Sequence, residues 1–371
     1  MAAATGLERL RGWMRSEGVA AAFVSDPVSV AYLTGFRTDP HERLLALVLR
    51  DGEASLIVPG LEEESARAVV REQVDVRAWR DGQDPWELVR AGLGPALGPA
   101  PGRLAVEKGH LPLAAWERLL SLRGDGAGPA ADATEVIRSL RARKEDDELA
   151  RLERAARITD EVTERLLSRL EPGRSELEVA SEVALLVAEA GAELAFETIV
   201  QSGANSGQPH LRPTGRRLER GDLVLLDFGA AWQGYRADIT RMAVVGEPDG
   251  RQRELHGIVL AAHDAAVAAV RAGVTAGAVD QAAREVIRSA GLAELFVHRT
   301  GHGLGLEAHE APSLDPGSST VLQAGMVVTI EPGVYVPGWG GVRIEDDVVV
   351  EAEGGRLLTH AERGLTVVGA G

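Results

Sequence analysis

Residues 221–245 read GDLVLLDFGAAWQGYRADITRMAVV. The apolar run at 223–226 ends in an acid, Asp227, and a second apolar run begins at Ile239, just after Asp238. The glycine-containing stretch 229–234 joins them, so the two runs read as the strands of a hairpin. Residues 326–336 (MVVTIEPGVYV) and 341–350 (GVRIEDDVVV) repeat the arrangement, joined at 337–340. Here the acids are Glu331 and Glu345. A carboxylate in an apolar strand is costly unless it is paired or binds a metal. One such acid is readily a satisfied structural residue; four on two matching hairpins ask for a common cause. The separations, eleven residues in the first hairpin and fourteen in the second, return each second acid beside its first. Converging carboxylates repel one another, and a pair of divalent cations removes the conflict.

An imidazole to complete the set comes best from residues 301–305, GHGLG. Glycines on both sides of His302 let the backbone approach the site closely. The chain has no cysteine, so thiolate metal sites and disulfides are excluded. A mostly oxygen donor set with one imidazole suits Mn, Co, Fe or Zn. His298 and His302 are four apart, but no Glu follows His298, and the helical zinc-protease pattern is absent. Gly301, Gly303 and Gly305 lack the spacing and strand-to-helix setting of a nucleotide loop. No G-x-S-x-G elbow offers a serine nucleophile.

Outward from the hairpins, helical spacing covers about 252–272 and 276–290. Residues 133–170 read as one long charged helix, with Leu149, Leu152, Ala155, Ile158 and Val162 on its apolar face. Pro172-Gly173 ends it, and Ser175 with Glu178 forms a capping box for the next helix. Toward the N-terminus, 5–18 is helical and 19–24 a strand. Residues 28–34 continue as a helical or extended piece. Runs at 44–49 and 54–58 flank Asp51-Gly52 as a hairpin, and 62–72 is helical. Strands and helices alternate as in a small α/β domain. Residues 124–131, rich in Gly and Ala, read as a linker. The expected organisation is an α/β domain over 1–134 and an α+β catalytic domain over 135–371.

Composition narrows the function. The 371 residues are 45% hydrophobic with a formal net charge of −16. Nucleic-acid surfaces need clustered Lys and Arg, so that class is excluded. No stretch approaches the roughly eighteen apolar residues of a membrane span. Arg9, Arg11 and Arg15 are followed by no long apolar run, so the first residues do not read as a signal peptide, and a cytoplasmic setting is expected.

Residues 227–241 (DFGAAWQGYRADITR), 300–312 (TGHGLGLEAHEAP), 330–333 (IEPG) and 341–346 (GVRIED) resemble the signature segments of the pita-bread metallopeptidases. That family includes methionine aminopeptidase, aminopeptidase P and prolidase. The likeness spans about residues 140–365. The N-terminal domain is similar to the creatinase-like domain of the proline-specific branch, and the whole looks most like the bacterial Xaa-Pro dipeptidases. The resemblance implies five ligands to two divalent ions, manganese first with Co or Zn as alternatives: Asp227, Asp238, His302, Glu331 and Glu345. It implies that Asp238 and Glu345 bridge both ions, that the protein is a homodimer, and that it is not the metal-free creatinase.

His210 in SGANSGQPH (202–210) and His309 in LEAHEAP (306–312) also match the family pattern, and the resemblance gives them the scissile carbonyl to hydrogen-bond. Ions held there would lower the pKa of a water toward neutral pH, and Glu331 is the expected acceptor of its proton. Arg343 is the family-matched candidate for the substrate's carboxylate side. Residues 32–49 contain a polar loop, 39–43 (DPHER). By composition it is a solvated turn. By resemblance it reaches a partner subunit's active site, with His41 and Arg43 closing that site to longer peptides. Where some prolidases carry Arg after the HE-x-P segment, this chain has Ser313, which leaves both Arg343 and Arg43 as candidates for the carboxylate anchor. The implied substrates are proline-containing dipeptides. The alternatives are longer Xaa-Pro peptides, as for aminopeptidase P, and a non-catalytic peptide-binding module. His256, His263, His298 and His360 read as structural.

Overall fold

The computed structural model describes residues 5–70, 73–97, 102–123 and 128–369. Its contacts divide the chain into two compact units, Met1–Arg141 and Ala142–Gly371. The division falls near the end of the helix that begins at Thr134, rather than before it.

In the first unit α1 (Gly6–Ser16) leads to β1 (Val19–Val24), α2 (Pro27–Thr34), β2 (Ala46–Arg50) and β3 (Glu53–Pro59). Then come α3 (Glu63–Val69), β4 (Asp75–Trp79), α4 (Trp86–Leu93), β5 (Arg103–Val106), α5 (Leu113–Arg123), β6 (Ala131–Asp132) and α6 (Thr134–Ala142). Residues 28–34 resolve as helix because Asp26 caps the amides of Val28 and Ser29, with Pro27 in the first turn. Asp51-Gly52 turns β2 into β3 as read, with Gly52 at φ 77. The sheet runs β4-β3-β2-β1-β5-β6. Along β1, Ala22 and Val24 join one core and Ala21 and Phe23 another. Both faces are therefore covered, which is why β1 reads as an unbroken apolar run. One expectation fails here. The C-terminal end of the proposed linker is sheet: Ala131 is buried and pairs with Ala105. Residues 124–127 of that linker lie outside the described residues.

The second unit continues with α7 (Asp146–Leu167), α8 (Glu176–Glu189), β7 (Glu193–Leu194), β8 (Ile199–Ser202), β9 (Leu223–Phe228), β10 (Ala230–Trp232), β11 (Tyr235–Arg236) and β12 (Ile239–Val245). Two long helices follow, α9 (Gly250–Ala269) and α10 (Ala276–Ser289). The rest is mainly strand: β13 (His302–Gly303), β14 (Glu310–Ser313), β15 (Val327–Ile330), β16 (Gly333–Val336), β17 (Gly340–Arg343), β18 (Asp346–Val350), β19 (Gly355–Leu357) and β20 (Thr366–Val368). The helix read as continuous over 133–170 is two. Arg143 bridges to Met326 and the Lys144 amide donates to the Gly325 carbonyl at 2.8 Å. Those strand-like bonds break the helical ladder, and Glu145 with Glu148 then caps α7. The capping box at Ser175 and Glu178 forms as read.

The first hairpin pairs β9 with β12, placing Thr240 opposite Asp227, with β10 and β11 at its tip. The second is split. β15 pairs with β18 and β16 with β17, and the two ladders belong to different sheets. Glu331-Pro332 and Ile344-Glu345 occupy the breaks. Pro332 has no N–H to give a ladder, so the strand cannot run through it. A single bridge between Thr240 and Glu345 joins the hairpins.

Candidate metal centre

Each acid of the two hairpins stands on or beside a strand buried on both sides. Asp227 lies within β9, Asp238 just before β12, Glu331 just after β15 and Glu345 just before β18. Asp227, Asp238, Glu345 and His302 are buried, while Glu331 is half-buried. Ligand atoms of Asp238, His302 and Glu345 all lie within 4.8 Å of one another. His302 Nδ1 is 3.0 Å from the Gly303 carbonyl, which can only accept. Nδ1 therefore carries the hydrogen, and Nε2 is the nitrogen turned to the acids, 3.2 Å from Glu331 Oε1.

The surrounding bonds set each group's orientation. Thr240 donates to Glu345 Oε2 at 2.6 Å, and its own hydroxyl accepts from Arg343 Nε at 3.0 Å. Arg343, itself buried, donates through Nη2 to Asp227 and through Nη1 to the Tyr335 hydroxyl at 2.8 Å. Thr329 donates to Glu331 and accepts from the His302 amide at 3.0 Å. Asp280, on α10, accepts from both the amide and hydroxyl of Thr300, and the Thr300 carbonyl accepts from the Glu331 amide. The glycines around His302 have a narrower purpose than the one read from sequence. A Cβ on Gly301 would lie 1.9 Å from the Thr329 carbonyl oxygen, and one on Gly303 would lie 2.1 Å from that of Ala311. They let neighbouring strands close on β13.

The electrostatics show an unmet demand for positive charge. Burial pushes Asp238 well above the ordinary carboxylate range, and Glu345, Asp227 and Asp347 push it further. Glu345 is raised by burial and by Glu331 and Asp227, against the pull of Arg343. Burial also raises Asp227, partly offset by Arg343. Glu331 moves the other way: although burial opposes it, the hydrogen bond and charge of His302 hold it down to about 2. Asp238 Oδ1 is buried with no hydrogen-bond partner among the described residues. An unpartnered oxygen inside a cluster of acids fits a divalent cation, and an O-rich donor set with one imidazole is of the right chemistry.

A model of metallopeptidase family M24 matches residues 150–352, and one of the creatinase/prolidase N-terminal domain matches residues 7–143. The chain belongs to metallopeptidase family M24. Its fold is the creatinase-like N-terminal domain followed by the pita-bread domain of that family. A dipeptidase from Pyrococcus horikoshii is 39% identical, covering 98% of this chain and all of the other, with a TM-score of 0.90. A Xaa-Pro dipeptidase from Bacillus anthracis is 33% identical over 98% of this chain and 99% of its own, with a TM-score of 0.89. An X-Pro aminopeptidase from Thermotoga maritima is 31% identical over 97% and 99%, with a TM-score of 0.87.

Around the acids of this M24 chain the remaining sequence candidates divide. The His309 ring meets that of His302 edge-on, centroids 4.3 Å apart. His210 is exposed on its loop, and the carbonyl of Pro209 beside it accepts from Arg343 Nη1 at 3.4 Å. His41 and Arg43 belong to the other unit. His41 is exposed at φ 51, and Arg43 pairs with Asp81 at 3.2 Å. Several neighbours escaped the sequence reading. Thr240, Thr329 and Tyr335 carry no charge and sit in strands where their types are ordinary. His298, read as structural, is 2.9 Å from the Tyr335 hydroxyl, which links it to Arg343. Its proximity to GHGLG was the one available signal. His263 is buried, 3.0 Å from Asp346, the residue after Glu345.

Proposed function

We propose that this metallopeptidase hydrolyses the Xaa-Pro bond of dipeptides. The buried cluster of Asp238, His302 and Glu345, with the partnerless Asp238 oxygen, carries the hydrolytic part of the reading. The dipeptide part is supported by the full-length likeness to the dipeptidases of Pyrococcus horikoshii and Bacillus anthracis. Asp227, Asp238, His302, Glu331 and Glu345 would hold two divalent ions, with Asp238 and Glu345 shared. Manganese is the first choice, with cobalt or zinc as alternatives. Bound there, the ions lower the pKa of a water and polarise the peptide carbonyl.

The chain's own groups have separable tasks in this reading. Glu331, held ionised beside His302, accepts the proton that water gives up. His210 and His309 donate to the carbonyl oxygen as it gains charge. Burial and the neighbouring His302 lower the pKa of His309, which favours its neutral form. Arg343 is assigned to the substrate's carboxylate side. Its Nε serves Thr240, its Nη1 serves Tyr335 and the Pro209 carbonyl, and one N–H of Nη2 serves Asp227, which leaves the second N–H of Nη2 as the donor for a carboxylate. His41 and Arg43 are assigned to closing the site of a partner subunit in a cytoplasmic homodimer. Bonds to proline lack an N–H and have φ fixed by the ring, so they need a dedicated enzyme.

The likeness to an X-Pro aminopeptidase favours a second reading, in which longer peptides lose their first residue. Turnover of Ala-Pro against Ala-Pro-Ala, with Mn, Co and Zn in turn, separates the two. Efficient tripeptide cleavage with little dipeptide turnover would overturn the dipeptidase reading.

A further inference from the structure

His210 rides on an exposed loop, and two buried side chains from outside every signature segment hold that loop. Gln201, on β8, is fully buried. Its Nε2 donates to the Gln208 carbonyl at 2.7 Å and to the Leu211 carbonyl at 3.0 Å. Those carbonyls bracket Pro209-His210, so one amide pins the tip from both sides. Glu176, the first residue of α8, is also fully buried. It accepts from the Ser202 amide at 2.7 Å, the Ser202 hydroxyl at 2.8 Å and Asn205 Nδ2 at 2.9 Å. It also accepts from the Thr214 amide at 2.9 Å and hydroxyl at 2.7 Å. Ser202 and Thr214 are the loop's two stems. On the cluster side, the Pro209 carbonyl accepts from Arg343 Nη1 at 3.4 Å.

The other end of Gln201 is informative. Its Oε1 is buried with no hydrogen-bond partner among the described residues. A buried acceptor left unmet costs stability, and an apolar side chain of the same length would avoid that cost. The two bonds that Gln201 does make both go to carbonyls of the loop that carries His210. Gln201 therefore gives up part of its stabilising capacity at Oε1 while its Nε2 fixes the position of the loop tip. Such an exchange of stability for position is characteristic of groups that serve a site.

We propose that Gln201, with Glu176 behind it, is a positioning residue for His210, fixing the loop so that the imidazole meets the carbonyl oxygen of the substrate. This rests on the reading of His210 as a substrate-facing group. A near-isosteric apolar variant, Gln201→Met, tests it in the full chain, with Gln201→Leu as a second variant should Met pack poorly. The melting temperature should stay at or above that of the native chain, with the same content of bound divalent metal. With Ala-Pro as substrate, kcat should fall on the order of 10–100-fold, the scale of a misplaced catalytic group, with little change in KM. The double variant with His210→Ala should be no slower than His210→Ala alone. Hydrogen exchange over residues 203–214 should speed up in the metal-free protein too. A native kcat, unchanged exchange in that segment, or losses that multiply in the double variant would overturn the proposal. If His210→Ala itself keeps full turnover, the reading of His210 fails and the inference falls with it. If His210→Ala is slow while Gln201→Met is not, the inference alone fails.

Discussion

Glu176 and Asp238 are buried carboxylates of the same unit, and their surroundings are opposite. Glu176 is met by five donors from Ser202, Asn205 and Thr214. It also sits in the first turn of α8, where the helix favours negative charge. Asp238 is surrounded by acids. Glu345, Asp227 and Asp347 all raise it, and Oδ1 finds no partner among the described residues. Even its amide donates to another carboxylate, Asp347 Oδ2, at 3.0 Å. Burial is common to both, so burial does not mark the site. What marks it is acceptor capacity that no donor meets, concentrated where several carboxylates converge.

The largest effect is expected from Asp238→Asn. Losing a supporting group around a metal typically costs about 10–100-fold, so losing the proposed shared ligand should cost more than about 10² in Ala-Pro turnover. Bound metal, measured by elemental analysis, should fall with it. The metal-free variant should also melt above the metal-free native protein, because one of the repelling charges is gone. A lower melting temperature would break the contrast with Glu176. Next, Thr240→Val removes the hydroxyl between Glu345 and Arg343 and should weaken metal binding about 10–100-fold by calorimetric titration.

Glu176→Gln keeps the shape but turns an acceptor into a donor facing donors. It should destabilise by roughly 1–3 kcal/mol, seen as a lower midpoint in urea, with metal binding intact. The smallest slope, confined to one pH window, concerns a third buried acid, Glu107, in the N-terminal unit. Ser29 donates to one of its oxygens at 2.6 Å and the other has no partner among the described residues. Burial raises its pKa from 4.5 to about 7, against the Ser29 bond and with help from Asp26. Between those values the folded chain keeps a proton that the unfolded chain has lost. Stability from this group is therefore complete below the unfolded value and declines as pH rises through the window. Glu107→Gln should flatten that decline, which is at most about 1.4 kcal/mol per pH unit. Urea melts across the window check it, and an unaltered slope would place the titration elsewhere.

The ligand candidates were legible because each is an acid set against an apolar run, as Asp227 is against Val224, Leu225 and Leu226. Glu176 and Gln201 were not legible. An acid at the first position of a helix and a polar residue at a strand end are ordinary in both places, and only their partners give them meaning. The break between α6 and α7 was hidden for a related reason. Its local pattern is helical, and the bonds that interrupt it come from Gly325 and Met326, far along the chain.

By itself the sequence determined which residue types stand beside which strands: two acid-bearing hairpins, a glycine-flanked histidine and no thiol. Those are local properties, set by apolar periodicity and by turn chemistry. Only the tertiary structure decided that the second hairpin splits at Pro332, that Thr240 joins the two hairpins, and that Asp238, His302 and Glu345 converge. It also decided which buried carboxylates are met by donors and which face one another. The reason is physical: a carboxylate's energy in the interior depends on groups brought to it through space, and sequence neighbours supply few of them.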